Sequence, residues 1–197
     1  MDMFLDKVMD FITHNRKIDD EEAEIVRYGL EMAVLKITFF AAALAVSLLM
    51  NSFWQFIIFI SLFSVLRSYA GGYHAKTRIR CFIQSMLLII AAVMIINITQ
   101  KITYIIVPLS IIALAAGAAI WRLAPVDTKN KRLDFDEKVP LRKKTRITLI
   151  AEIIIGIVLY ILNFKIVPCA VALSIIASCV LLLAEYFKME QVTDYEE

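Results

Sequence analysis

Residues 67–85, RSYAGGYHAKTRIRCFIQS, interrupt two long apolar runs at 53–66 and 82–98. In this stretch, and nowhere else in the chain, a Gly-Gly pair, a histidine, a cysteine and several cations occur together. A polar break between two such runs predicts two membrane helices joined by a loop at the membrane boundary. We interpret the loop as a candidate active site, because it brings a candidate base and a candidate thiolate to that boundary.

The spacing of His74 and Cys81 determines how the chain must fold if the two side chains are to meet. His74 and Cys81 are seven residues apart, so on one continuous helix they would lie roughly 10 Å apart along the axis, whereas a working pair needs about 3 Å. The chain must bend between them, and Gly71-Gly72 suits a bend because glycine reaches positive φ cheaply. A cysteine starting the next helix, beside Arg78 and Arg80, would have its thiolate stabilised by the helix dipole and the cations. The plainer alternative is a tight interhelical loop with a small buried cysteine.

The composition identifies the class of protein. The chain is 60% hydrophobic with a mean hydropathy of +0.75, well beyond the roughly 45–50% apolar content of soluble domains. It is therefore an integral membrane protein. No signal peptide is evident in the first thirty residues, which carry acids and bases throughout. The cysteines lack metal-site spacing and there is no Gly-rich phosphate loop, so no metal, other cofactor or nucleic-acid partner is predicted.

Six apolar runs predict an all-α, polytopic membrane protein with about six transmembrane helices. The second run is the weakest, and it spans the membrane only if its helix continues through 67–70; a partly re-entrant segment is the alternative. Tight turns are expected at 51–52, 99–101 and 163–165. The runs are 33–50, 53–66, 82–98, 102–121, 147–162 and 166–187.

Before the first run, residues 1–15 place most of their apolar side chains on one helical face. This pattern predicts an amphipathic helix that lies at the membrane interface or packs on the protein's own loops. A second helix is expected to start at Asp19, which forms a capping-box pattern with Glu22, and to continue into the membrane. The predicted divisions are an N-terminal segment 1–32, one transmembrane domain 33–187 and an acidic tail 188–197.

The distribution of charge predicts the orientation. Of 21 Lys and Arg, nine lie at 122–146, four at 67–80 and five before residue 37, whereas the short turns hold only Lys101 and Lys165. The positive-inside rule then places both termini, the loop 67–81 and the basic loop 122–146 in the cytosol. That compartment is reducing, so Cys81 would stay a thiol.

Two features of the later runs leave alternatives open. The concentration of basic residues at 122–146 has three alternative explanations. It follows from membrane topology alone, it forms a docking surface for an acidic partner, or it binds anionic lipid headgroups. Glu152, in the fifth run, is interpreted as the lone intramembrane carboxylate, and such residues are functional candidates. Its position near the cytosolic end also allows pairing with Arg146 or Lys144.

The motif GGYHA at 71–75, Cys81 seven residues after the histidine, and APVDTKNK at 124–131 resemble, in this order, the accessory gene regulator B family. Its members are bacterial cell-membrane cysteine endopeptidases that process precursors of quorum-sensing peptides. The resemblance covers most of the chain. It implies that His74 and Cys81 are the catalytic pair and that the substrate is a short precursor peptide with an amphipathic leader, an internal cysteine and an acidic C-terminal tail.

A mechanism consistent with these residues passes the cleaved precursor through a Cys81 thioester to its own cysteine, giving a cyclic thiolactone. Backbone N–H groups of the third helix, Arg78 or Gln84 are candidate oxyanion donors, and Ser85 and Gln84 are otherwise polar residues of a helix start. The candidate residues for holding the acidic tail are Lys129, Lys131, Arg132, Arg142, Lys143 and Lys144.

Two other classes of function compete with this hypothesis. A small transporter or exporter would use Glu152 as a coupling site, and Cys81→Ala would leave its function largely intact. A non-catalytic scaffold would present the peptide to another protease and would need no reactive thiol. Membrane lipids are expected partners in each case, and a homodimer in the membrane is left open.

Overall fold

The computed structural model of the chain describes residues 19–72, 77–126 and 134–194. Within these ranges the secondary structure is helical, with no strand, which confirms the predicted all-α class. A short 3-10 helix, Thr103–Ile105, joins the third and fourth α-helices. The α-helices are α1 (Asp20–Leu49), α2 (Phe53–Ala70), α3 (Arg78–Lys101), α4 (Ile106–Leu123), α5 (Phe135–Ile161) and α6 (Ile166–Asp194).

Five helices in the described ranges are long and apolar enough to cross a membrane, so the chain is a multi-pass membrane protein, as predicted. The exception, α5, contains the fifth apolar run, but every 18-residue stretch of it holds at least three charged side chains. Lys144, Arg146 and Glu152 are the three in its last stretch. The five candidate spans are Glu22–Leu49, Phe53–Ala70, Ile79–Lys101, Thr103–Leu123 and Ile166–Lys188.

The chain divides into two compact units, residues 1–45 and 46–197. In the described part of the first unit the chain is one unbroken helix from Asp20 onward. The helix expected to begin at Asp19 therefore does continue into the first apolar run. The predicted amphipathic helix at 1–15 lies outside the described residues.

Helix α2 contains the second apolar run. It continues without a break to Ala70 and is 18 residues long, which corresponds to about 27 Å of helix. This length comes close to the ~30 Å of a bilayer's hydrocarbon core. The second run is therefore a candidate span by length and composition, because its helix includes residues 67–70.

Helix α6 is the central helix of the second unit, and α2, α4 and α5 pack around it. In its most apolar 18-residue stretch 61% of the residues are buried, against at most 28% in the other candidate spans. Gly156 of α5 allows close packing, because a Cβ there would lie 3.3 Å from a Val171 methyl group. The core around α6 includes Leu66, Ala70, Ala116, Ile120, Leu149, Val171, Ile175, Cys179 and Leu182.

The two ends of the second unit differ in polarity. At the turn end, Asn51 and Asn163 have φ of 50° and 65° in the short connections before α2 and α6, a conformation that asparagine tolerates. Asn97 joins α3 to α2 there, accepting a hydrogen bond from Gln55 at 3.1 Å and donating to Ser52 Oγ at 2.8 Å. The opposite end, called the basic end, carries Arg67, Cys81, Trp121, Arg146 and Glu185.

Glu152 pairs with neither Arg146 nor Lys144, the partners that its position in the sequence allows. Its side chain is buried against α6, where Ser174 Oγ donates to Oε2 at 3.2 Å. Arg146 and Glu152 are six positions apart in the sequence, a separation that puts their side chains on different faces of α5. The interpretation of Glu152 as the lone intramembrane carboxylate is also wrong, because Glu185 lies within the sixth run.

Candidate active site

The Gly71-Gly72 pair ends α2 in a bend, as its sequence predicts. Gly71 has φ of 75° and Gly72 has φ of 129°, which residues with side chains rarely adopt. A Cβ on Gly71 would lie 3.0 Å from the carbonyl oxygen of Val126. A Cβ on Gly72 would lie 2.6 Å from Arg67 Nη1 and 3.1 Å from the Leu181 carbonyl. Both positions therefore need glycine for space as well as for conformation.

Gly72→Ala is expected to destabilise the protein by about 2 kcal/mol, because an L-residue is strained at this φ and the Leu181 backbone cannot move aside. The measurement is the melting temperature in detergent. Gly29→Ala is the matched control, because a Cβ there meets no atom within 4 Å. Its melting temperature should equal or slightly exceed that of the wild type, since alanine is the better helix former. Equal melting temperatures for Gly72→Ala and wild type would contradict this account of the bend.

The segment 124–126 lies directly against this bend. Ala124, Pro125 and Val126 are buried, and the Val126 N–H donates to the carbonyl oxygen of Ala70 at 3.4 Å. The bend and this segment are more than fifty residues apart in the sequence. The fold thus brings the described parts of the two motifs into contact.

Cys81 lies in the first turn of α3, near the start of a helix as predicted. The hydroxyl of Thr77 caps this helix by accepting from the Arg80 N–H at 3.3 Å, and the Thr77 carbonyl oxygen accepts from the Cys81 N–H at 3.0 Å. The thiol is partly exposed. A helix N-terminus favours an anion, so this position suits a cysteine that must react as its thiolate.

Arg67 connects Cys81 to a buried carboxylate. Its Nη1 donates to the carbonyl oxygen of Gly71 at 3.1 Å, which holds the guanidinium at the bend. Cys81 and Glu185 both interact electrostatically with this guanidinium, so the three groups form one cluster. Lys188 donates to both carboxylate oxygens of Glu185, each at 3.1 Å, and Glu185 is almost fully buried.

The three charged groups of this cluster carry a net positive charge. Arg67 and Lys188 contribute two positive charges and Glu185 contributes one negative charge. Reactive cysteines are typically found in such electropositive, partly exposed surroundings, so the surroundings of Cys81 are those of a candidate nucleophile.

The basic residues of the second loop divide between two directions. Lys144 Nζ lies 5.7 Å from the centre of the Tyr69 ring, two residues before the bend in α2. Arg142 instead donates through Nε to the carbonyl oxygen of Ala124 at 3.4 Å, and Lys143 lines a groove with Trp121 of α4. Of these three residues, Lys144 is the one directed toward α2.

Residues 5–183 match the sequence model of a family described as AgrB, Accessory gene regulator B. The chain belongs to the accessory gene regulator B family. A "Putative AgrB-like protein" of Clostridium perfringens (strain SM101 / Type A) is 30% identical over 167 residues, covering 80% of this chain and 78% of that protein. A "Putative AgrB-like protein 2" of Clostridium perfringens (strain 13 / Type A) is 28% identical over 130 residues, covering 64% of this chain and 61% of that protein. No solved structure matches the chain.

Membership in the accessory gene regulator B family confirms the resemblance seen in the two motifs and supports a role in this quorum-sensing system. Of the motif residues, the structure describes Gly71, Gly72, Cys81 and 124–126. The remaining predicted site residues that lie outside the described ranges are His74, Lys129, Lys131 and Arg132.

Three candidate supporting residues of this family member lie on α3. Arg78 is its first residue, and only its backbone is described. Gln84, nearly one turn beyond Cys81, is exposed, and Ser85 is partly buried. Their part in stabilising an oxyanion stays a prediction.

Sequence reasoning gave no role to Arg67 and overlooked Glu185. Arg67 was one of several cations in the polar stretch. Its spacing from Cys81 gave no sign that the two side chains are close, because they lie on different helices. Glu185 had a usable signal, because an acidic residue inside an apolar run is a candidate for function or for pairing with a cation. Its partners could not be named without the fold, because Arg67 is more than a hundred residues away.

Proposed function

We propose that this family member is a membrane cysteine endopeptidase that removes the acidic tail of a short precursor peptide and closes the remaining peptide into a ring. The observation that carries the proposal is the position of Cys81, in the first turn of α3 and within electrostatic range of Arg67. Cys81 is partly exposed there, so a substrate can reach it. His74, seven residues earlier, is the proposed base.

In the first step, His74 accepts the proton of Cys81, and the thiolate attacks the carbonyl carbon of the peptide bond before the tail. The carbon–nitrogen bond then breaks. The new amino terminus of the tail takes the proton from the His74 imidazolium, and the tail leaves. The rest of the precursor stays bound to Cys81 as a thioester.

In the second step, the thiol of the precursor's own cysteine attacks this thioester. Its proton passes to His74, Cys81 leaves as the thiolate, and the product is a cyclic thiolactone. One thioester replaces another, so bond energy is nearly conserved and the intermediate must be kept from water. A partly buried thiol at a membrane boundary suits this requirement.

We infer that the basic end faces the cytosol, together with both termini of the chain. Thirteen of the 21 Lys and Arg lie in the two loops 67–80 and 122–146, against two in the short turns at the opposite end. This asymmetry is the one that orients membrane proteins with their basic loops inside. A precursor made in the cytosol would then reach Cys81 without crossing the membrane.

The test uses the full chain in vesicles with a candidate precursor peptide encoded in the same genome. Mass spectrometry follows the release of the tail and an acyl adduct on the protein that hydroxylamine removes. We expect the adduct on Cys81 and its decay as the cyclic product forms. Tail release with no adduct, or with an adduct at another residue, would overturn the thioester mechanism.

Lys144→Gln is expected to raise the KM for a precursor with an acidic tail by about threefold, because one exposed ion pair contributes modestly to binding. The kcat should change little, since the tail lies outside the bond that breaks. Lys143→Gln is the matched control, because its side chain lines the groove on the α4 side. A precursor whose tail acids are replaced by amides should remove the difference between the two variants. If the difference in KM between the two variants persists with that neutral precursor, Lys144 does not bind the charged groups of the tail.

A further inference from the structure

A groove of about 550 Å³ lies along α5 beside the end of α4, at the basic end. Four cations line it, Lys138, Arg142, Lys143 and Arg146, at spacings that keep them on one side of α5. Within the described ranges, no carboxylate forms an ion pair with the last three of these cations. Like charges so close together repel one another, so the groove favours an anionic occupant.

Backbone carbonyls and a tryptophan hold the two arginines in this groove. The guanidinium carbon of Arg146 lies 4.6 Å from the centre of the Trp121 ring, and its Nη2 donates to the Trp121 carbonyl oxygen at 3.4 Å. Arg142 donates through Nε to the carbonyl oxygen of Ala124 at 3.4 Å. Each guanidinium has further N–H donors, and arginine binds phosphate oxygens through paired donors.

Val139 lies among the cations of the groove, and after Arg146 the lining on α5 is apolar only. Ile147 and Ile150 continue the groove along α5, and they are 57% and 45% exposed. Trp121 lies beside this transition, where membrane proteins commonly place tryptophan at the level of the lipid headgroups. Along the helix, the cations of the groove are thus followed by isoleucines. An anionic phospholipid has the matching arrangement, with a charged headgroup followed by an apolar acyl chain. A peptide tail that is acidic throughout would match only the cations.

Lys144 does not belong to this groove. It lies between groove cations in the sequence, but its Nζ contacts the Tyr69 ring on α2 and does not line the groove. Lys143 and Lys144 are adjacent in the sequence but point in different directions, so the effects of replacing each of them can be compared.

We propose that the groove binds the phosphate headgroup of an anionic phospholipid, with the acyl chain lying along Ile147 and Ile150. Arg142 and Arg146 supply paired donors to the phosphate, and Lys138 and Lys143 add positive charge around it. The lipid would hold α5 at the membrane boundary, because this helix has fewer apolar residues than a full span. This site does not depend on the proposed peptidase activity.

Lipid retention tests the proposal on the full chain. The protein is reconstituted in vesicles of phosphatidylglycerol and phosphatidylcholine in equal amounts, and native mass spectrometry counts the lipids it retains. We expect the wild type to retain phosphatidylglycerol in preference. In the variant Arg142→Gln/Arg146→Gln, the ratio of phosphatidylglycerol to phosphatidylcholine retained should be about tenfold lower, because two cations that would bind an anionic headgroup are removed. Lys144→Gln should keep the wild-type preference.

Two further measurements cover the case in which the double variant does not fold. Lys143→Gln should lower the preference by about threefold, and raising salt from about 50 to about 500 mM should lower it for the wild type. Equal retention of the two lipids by the wild type, or full preference in folded Arg142→Gln/Arg146→Gln, would overturn the proposal. Stoichiometric displacement of phosphatidylglycerol by an acidic tail peptide would assign the groove to the peptide instead.

Discussion

Cys81→Ala is expected to lower tail release by about a thousandfold or more, because removing the nucleophile of a covalent mechanism costs at least that much in rate. The acyl adduct should disappear with it. Both are measured by mass spectrometry in vesicles that contain equal amounts of wild-type or variant protein. His74→Ala should also lose the adduct, since without a base the thiol does not transfer its proton.

Cys179→Ala is the matched control for this loss. Cys179 is buried in the core around α6, so its replacement removes a thiol but no accessible nucleophile. It should retain most of the activity despite some loss of stability. Tail release that persists in Cys81→Ala would count against the endopeptidase and in favour of a scaffold that presents the peptide to another protease. Unimpaired peptide export by the same variant would favour a transporter, and the buried Glu152–Ser174 pair would then be the first site to alter.

Arg67→Gln is expected to have the second largest effect, because it removes the cation that interacts electrostatically with Cys81 and the donor that holds the Gly71 carbonyl. Iodoacetamide reacts with the thiolate, so the rate of Cys81 alkylation at pH 7 reports how much thiolate is present. We expect this rate to fall by about tenfold, the order of effect that removal of one nearby cation produces. Tail release should fall at least as far.

Arg122→Gln is the control for this prediction. Arg122 is an exposed cation in the last turn of α4, so its loss changes the net charge equally without touching the cluster. Arg67→Lys should be intermediate, since it restores the charge but not the planar, multidentate donor. A folded Arg67→Gln protein that is alkylated at the wild-type rate would show that Arg67 does not act on the thiol.

Much of the fold follows from local patterns. The apolar runs predicted the helices because a membrane segment must satisfy its backbone hydrogen bonds within itself. Gly71-Gly72 predicted the bend because its backbone conformation is accessible mainly to glycine. Asn51 and Asn163 lie in turns that were predicted for the same kind of local reason.

The candidate site could be predicted only in part. Cys81 was placed at a helix start by its position after the bend, which is local information. The predicted pairing of Glu152 was wrong because Glu152 and Arg146 lie on different faces of α5. The face that carries Glu152 packs against α6, where Ser174 is its hydrogen-bond partner. The predicted role of the basic residues in binding the acidic tail stays a prediction. The structure adds that the basic side chains of α5 point in two directions, toward Tyr69 and toward Trp121.

The sequence by itself determined the class of protein, the helices, the bend and the candidate nucleophile. These follow from hydropathy, backbone conformation and residue type, which act over a few neighbouring residues. Only the tertiary structure decided that Glu185 joins Arg67 and Cys81, and that Val126 lies against Gly71. The physical reason is that charge and packing act through space, and the central position of α6 brings together residues that are far apart in the chain.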